Sequence, residues 1–290
     1  MNSIKSKLLS LIALMLSVVF IISAFAGCGI NETPDETVTN EVQEQTSVSE
    51  VETVDTTETI TEITTEEVVT EETTEEASTM PSTKEEVIAY YNENGNRIKS
   101  ESKNIVRNFA LNTQTRDAYI SNNMLSGIAN KLISANMGYD KSAEGKVLQS
   151  REDKDNFFPV KGQSWTSKLT PSDVVSAVCT EDGDYYNIVI TLVEDTVPNI
   201  KLGQGHAGKA ISIVTKDEIV EGAGSLGMSV IEEESIALTY RDCKITVKVE
   251  KDTGNIVHAN YYQDWTLSLT AIGIDVAVSF GISDDYTINW

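Results

Sequence analysis

Strict alternation of apolar and polar residues through the last third of the chain is the feature that most narrows its fold. Cys243, Ile245, Val247 and Val249 alternate with Lys244, Thr246, Lys248 and Glu250. Asp252-Thr253-Gly254-Asn255 then turns the chain. Beyond it Val257, Ala259, Tyr261, Gln263, Trp265, Leu267, Leu269 and Ala271 fall on one side, and His258, Asn260, Tyr262, Asp264, Thr266, Ser268 and Thr270 on the other. After Ile272-Gly273 the pattern resumes with Ile274, Val276, Val278, Phe280 and Ile282. A period of two over such lengths means long antiparallel strands with one apolar and one wet face. The apolar face has to be covered by something else in the chain.

Two amphipathic helices are available to cover it. Pro81-Ser82-Thr83-Lys84-Glu85-Glu86 opens the first, through a capping box of Ser82 with Glu85 or of Thr83 with Glu86. Val87, Ile88, Tyr91 and Ile98 form its stripe. Met124, Leu125, Ile128, Ala129, Leu132 and Ile133 recur at helical spacing in the second. Between them the stretch from Lys103 fits a helix or a strand; it is read as a strand with Ile105, Arg107, Phe109 and Leu111 opposite Asn104, Asn108 and Asn112. Residues 140–171 read as loop, with Phe157, Phe158 and Trp165 as apolar pins. Val174–Cys179 and Tyr185–Glu194 flank Glu181-Asp182-Gly183-Asp184 as a hairpin. Thr215 and Glu218 cap a further short helix, and Gly222–Gly227 reads as a turn. The expected fold class is α+β: a curved antiparallel sheet of long strands packed over two or three helices.

The N-terminal part has a different composition. Lys5 and Lys7 precede a run from Leu8 to Ala24 that is apolar apart from three serines. Phe25-Ala26-Gly27-Cys28 follows. This order resembles the lipobox of bacterial lipoproteins, with Phe25 where Leu is usual. The resemblance implies cleavage before Cys28 and acylation of its thiol. Residues 28–83 then carry 16 Asp/Glu, 16 Thr and no Lys or Arg. Like charges repel along such a segment, and it has no face to bury, so it reads as a disordered stalk. Stretched, it would span at most roughly 180–200 Å. The expected domains are 1–27 as signal peptide, 28–83 as lipid-anchored acidic linker and 84–290 as one folded domain. The expected location is the extracellular face of the cell membrane. The whole chain has a net charge of -23, with no basic footprint for nucleic acid.

Lipobox, acidic stalk, short helix, the helix at 124–136, Trp165, the Cys179–Leu192 hairpin and the terminal hairpins from Ile236 to Trp290 occur in that order. Together they resemble surface lipoproteins of gut-type Firmicutes, a likeness that implies no activity and no site residues. A long sheet around helices is also similar, in architecture alone, to half-barrel lipid carriers of the LolA and LppX type.

Several constellations merit weighing. Gly203-Gln204-Gly205-His206-Ala207-Gly208-Lys209-Ala210 satisfies two phosphate-loop spacings, but Ala210 replaces the magnesium-binding hydroxyl and the next residues read as strand, so it is taken as a surface loop. His206 and His258 are isolated, so neither a zinc set nor a Ser-His-Asp triad is read, and no metal or cofactor is expected. Asp182, Asp184, Asp284 and Asp285 lack the spacing of a calcium loop. Cys179 and Cys243 form either a disulfide or two buried thiols. Trp165, Tyr261, Trp265, Leu267 and Phe280 are the candidate lining of a pocket. The chain is accordingly read as a non-enzymatic binding module for an apolar ligand or an envelope partner. A filled structural or interaction module and a cell-wall hydrolase are the alternatives.

Overall fold

The structure is a computed structural model that describes residues 80–290 except 122, 136, 226–230 and 272. The expected signal peptide, the expected lipidation at Cys28 and the expected stalk as far as residue 79 lie outside the described residues.

Helix α1 spans Lys84–Glu101 and starts on a reciprocal capping box between Thr83 and Glu86. The backbone N–H of Ser82, with that of Thr83, holds the Glu86 carboxyl down to about 2. Val87, Ile88, Tyr91 and Ile98 are all buried on one stripe. Arg97, on its flank, donates to Thr253 O and Asn255 Oδ1 and so ties the helix to a sheet turn. Strand β1 (Asn104–Ile120) leads to α2 (Asn123–Ala135), short strands β2 (Gly138–Tyr139) and β3 (Lys146–Leu148), and α3 (Arg151–Phe157). The hairpin β4 (Val174–Asp182) and β5 (Tyr185–Leu192) follows, then α4 (Lys216–Ser225). Three long strands close the domain: β6 (Ala237–Glu250), β7 (Ile256–Ala271) and β8 (Ile274–Asn289).

The strands form one open antiparallel sheet of eight, in the order β2-β1-β8-β7-β6-β5-β4, with β3 also on β1. The α+β architecture expected from the pattern is the observed one. Helix α1 lies against β4, β5 and β7, and α2 lies against β1. Their apolar stripes and the inner sheet face make one continuous buried cluster. No helix among the described residues is long and apolar enough to cross a membrane.

The differences from the sequence reading come from bulges and short elements. A register shift between Arg107 and Phe109 turns Ala110 and Asn112 inward, so the four-residue face read from Ile105 to Leu111 does not hold beyond Arg107. A shift after Lys248 puts Ile256, not Val257, in the core. Asp242, at φ 51°, marks another irregularity, between Arg241 and Lys244 of β6. Residues 140–171, read as loop, contain β3 and α3, the latter with a Ser150–Asp153 capping box. Helix α4 runs to Ser225, through residues read as a turn.

Lys99, in the last turn of α1, is 1% exposed. Its ammonium donates to Val160 O at 2.9 Å and Gln163 O at 2.7 Å. Burial pulls it down to about 8, against the opposing pull of Asp155. The unfolded chain therefore binds more protons than the folded one between pH 8 and 10.5, and stability should rise with pH across that window. From pH 8 to about pH 10 the gain should be about 2 kcal/mol. Urea unfolding at the two values should show it in the natural chain and not in Lys99→Met.

Candidate functional site

Four of the five residues read as a pocket lining are in the core. Tyr261, Trp265, Leu267 and Phe280 are between 0% and 2% exposed. Leu267 is flanked by Leu238 on β6 and Val278 on β8. Trp265 and Phe280 are cross-strand partners with ring centroids 5.1 Å apart. Tyr261 meets Phe158 and Tyr286 edge-on, at 5.8 and 6.2 Å. The Tyr91 hydroxyl donates to that of Tyr261 at 3.3 Å. Burial pushes both phenols well above their ordinary range, so they stay neutral. The fifth residue, Trp165, is outside this cluster. Lys168 Nζ sits 4.3 Å from its ring centroid, and a Cβ on Gly203 would lie 3.4 Å from the ring.

One part of the inner face is polar. Arg107 of β1 and Asp284 of β8 form an ion pair there, beside Gln263 of β7. Burial pushes the Asp284 carboxyl up, and Arg107 returns it only part of the way. Gln263 is 4% exposed; its amide donates to Ser212 O at 3.1 Å, while its Oε1 has no partner. These groups line a cavity of about 50 Å³, with Lys161 and Glu218 paired at 3.0 Å among the other lining residues. A cavity of about 150 Å³ is what benzene needs, so this one has room for a few waters and not for an acyl chain. The signal for it was present: Gln263 interrupts an apolar face, and the alternation ending at Ile282 continues inward to Asp284.

The glycine-rich loop is built around two carboxylates of the protein itself. Asp195 accepts from the backbone N–H of His206 at 2.8 Å and of Ala207 at 2.7 Å. Asp173 accepts from Lys209 Nζ at 2.7 Å, from His206 Nδ1 at 2.9 Å and from Thr170. Those donors are the ones a phosphate would use. The glycines follow from the close approach. Gly205, at φ 64°, would place a Cβ 2.6 Å from Asp195 Oδ1, and Gly208 would place one 2.8 Å from Lys201 O. The phosphate reading therefore fails because the loop's anions are internal. Asp173 closes a Thr170–Asp173 capping box that the sequence does show, but nothing local pairs it with His206 or Lys209, and Asp195 belongs to no motif.

No family model, no curated protein and no solved structure matches the chain.

The remaining candidates are separated. Cys179 and Cys243 are both free thiols, on β4 and β6 with β5 between them. Two strand spacings of about 4.8 Å already exceed the Cα separation a disulfide bridges, so the bonded alternative is corrected to free thiols. Burial pushes the Cys243 thiol up to about 12. Asp284 and Asp285 point to opposite faces. Asp285, on the outer face, accepts from Asn108 at 2.8 Å and Asn260 at 3.0 Å and pairs with His258 Nε2 at 3.0 Å. These partners outweigh its burial and hold its carboxyl low. Asp182 instead pairs with Lys248 at 3.4 Å at the rim of the sheet.

Proposed function

We propose that the chain is a surface lipoprotein whose folded domain binds other envelope components through its exterior. Cys28 is the lipid attachment site in this reading, and residues 29–83 hold the domain away from the membrane. The observation that carries the exterior mode of binding is the filled inner face. Tyr261, Trp265, Leu267 and Phe280 spend their surface on each other and on α1, Phe158 and Tyr286. An apolar ligand would have to displace that packing, at roughly 25 cal/mol for each Å² re-exposed. The role is binding, with the outer sheet face, the loops and the sheet edge as the surfaces on offer.

The anchor is tested by Cys28→Ala. The substitution should release the protein into the medium or leave the precursor unprocessed, read by fractionation and immunoblot. Acyl chains contribute about 0.8 kcal/mol per buried CH₂, so any correctly cleaved Cys28→Ala protein should leave the membrane almost completely. Correctly cleaved protein that stays on the membrane would sink the lipoprotein reading.

A further inference from the structure

The two edges of the sheet are finished differently. The outer side of β1 is covered over much of its length: β3 pairs from Ile105 to Arg107, β2 pairs at Leu111 and Asn112, and Asn130 and Ser126 of α2 accept from the backbone N–H groups of Ala118 and Ile120. At the other end, β4 is the terminal strand, and no described strand pairs with its outer side. Exposed edges are usually blunted by Lys, Pro or brevity. Here Val174 to Thr180 contains no charge and no proline, the strand is nine residues long, and its bulge, at Val175, lies at the end away from the hairpin turn and leaves Ser176 to Asp182 regular. Val175 is 63% and Val178 52% exposed on it.

The hairpin turn settles which backbone groups are free. Gly183, at φ 59°, opens a two-residue turn closed by Asp182 and Tyr185. In such a hairpin the closing residues bond each other, and alternate pairs do the same. Thr180 and Val178 therefore spend their N–H and C=O on β5, while Ala177, Cys179 and Glu181 turn theirs outward.

Charge is distributed in a way that suits self-pairing. Glu181 and Asp182 lie at the hairpin end of β4. Lys84 lies at the other end, where its Nζ donates to Pro171 O at 3.0 Å and Val174 O at 3.2 Å. Lys251 and Lys248 reach the two acids at 3.3 and 3.4 Å, but both carboxylates stay more than half exposed. An antiparallel copy centred on Val178 brings each acidic end to the other copy's Lys84 end.

We propose that β4 is a dimerisation edge whose occupant is a second copy of this chain. The two β4 strands pair antiparallel across a two-fold axis at Val178, with Ala177 hydrogen-bonded to the partner's Cys179. The two sheets become one. This rests on strand geometry and stands whether or not Cys28 is lipidated.

The test uses the purified full chain in detergent, with Cys179→Ser as background. Val178→Cys should form an intermolecular disulfide on mild oxidation, because opposed residues in a non-hydrogen-bonded pair lie about 4.5 Å apart. Val175→Cys should not, since the copies of that residue would be about 20 Å apart along the paired strands. Adding Ala177→Pro to Val178→Cys removes an outward N–H and should cut cross-linking at least about tenfold, a loss of about 1.4 kcal/mol in association. Analytical ultracentrifugation of the unsubstituted chain should give a dimer, and circular dichroism should show the proline variant folded. A monomer by ultracentrifugation, equal cross-linking at 175 and 178, or a dimer indifferent to Ala177→Pro would overturn the proposal.

Discussion

Leu267→Ala is expected to destabilise the protein by about 2–5 kcal/mol, the range for a leucine truncated in a well-packed core. Leu267 is 1% exposed, with Leu238 and Val278 beside it on the neighbouring strands. The side chain's neighbours sit on regular strands and cannot collapse far into the space it leaves, so the cavity penalty adds to the lost transfer energy. Urea unfolding followed by circular dichroism gives the number. The same preparation, analysed by native mass spectrometry, should carry no bound lipid. A penalty under about 1 kcal/mol, together with a co-purifying apolar ligand, would return the inner face to the role of a carrier wall and end the exterior-binding reading.

The second large effect belongs to Asp173. Asp173→Ala should cost about 3 kcal/mol, because one carboxylate satisfies the donors of Lys209, His206 and Thr170 at once. Lys209 and His206 remain about 30% exposed, so water takes over part of what they lose. Burial opposes ionisation at this site, yet the three partners together hold the Asp173 carboxyl down to about 2. Its folded pKa is thus below its unfolded value of 3.8. The stabilisation is complete above pH 4 or so and is lost as pH falls toward 2, by an amount on the order of 2 kcal/mol. Denaturant titrations from about pH 5 to about pH 2 should show a shallower slope in Asp173→Asn than in the natural chain, the remainder coming from other low carboxyls such as Asp285. An unchanged slope would mean that the carboxylate does not hold the loop.

The parts of this fold that were legible are the ones written as periods. The runs around Ile245, Tyr261 and Val278 repeat every second residue, and the stripe from Val87 to Ile98 repeats at helical spacing, so both elements and their buried faces could be read directly. Bulges were illegible for a simple reason. Each inserts one residue and exchanges the faces, and the residues at Asn108 or Val257–His258 do not show on which side the exchange falls. Short helix α3 has only seven residues, too few for a stripe to stand out, although its Ser150–Asp153 cap was there to be seen. The aromatic set around Tyr261 and Trp265 was found, but whether it lined a void or filled a core depended on Phe158 and Tyr91, which are remote in sequence. The same distance hid the pairs Asp173–His206 and Arg107–Asp284.

The order of the strands has a consequence for how the domain comes to exist. Strand β1 is the first of the sheet along the chain, yet its long partner is β8, with Asn104 paired to Asn289 across 185 residues. It is made first, and beyond its short pairings with β2 and β3 it must wait for nearly everything else before its β8 side can be hydrogen-bonded. Until then a strand of 17 residues holds open valences, and the hairpins from β4 to β7 can assemble without it. Closing a loop of that length taxes the rate far more than the final stability. Late docking of β1 should therefore be the slow event in folding, and a chaperone that shields Ile105 to Ile120 would shield the segment with the longest wait.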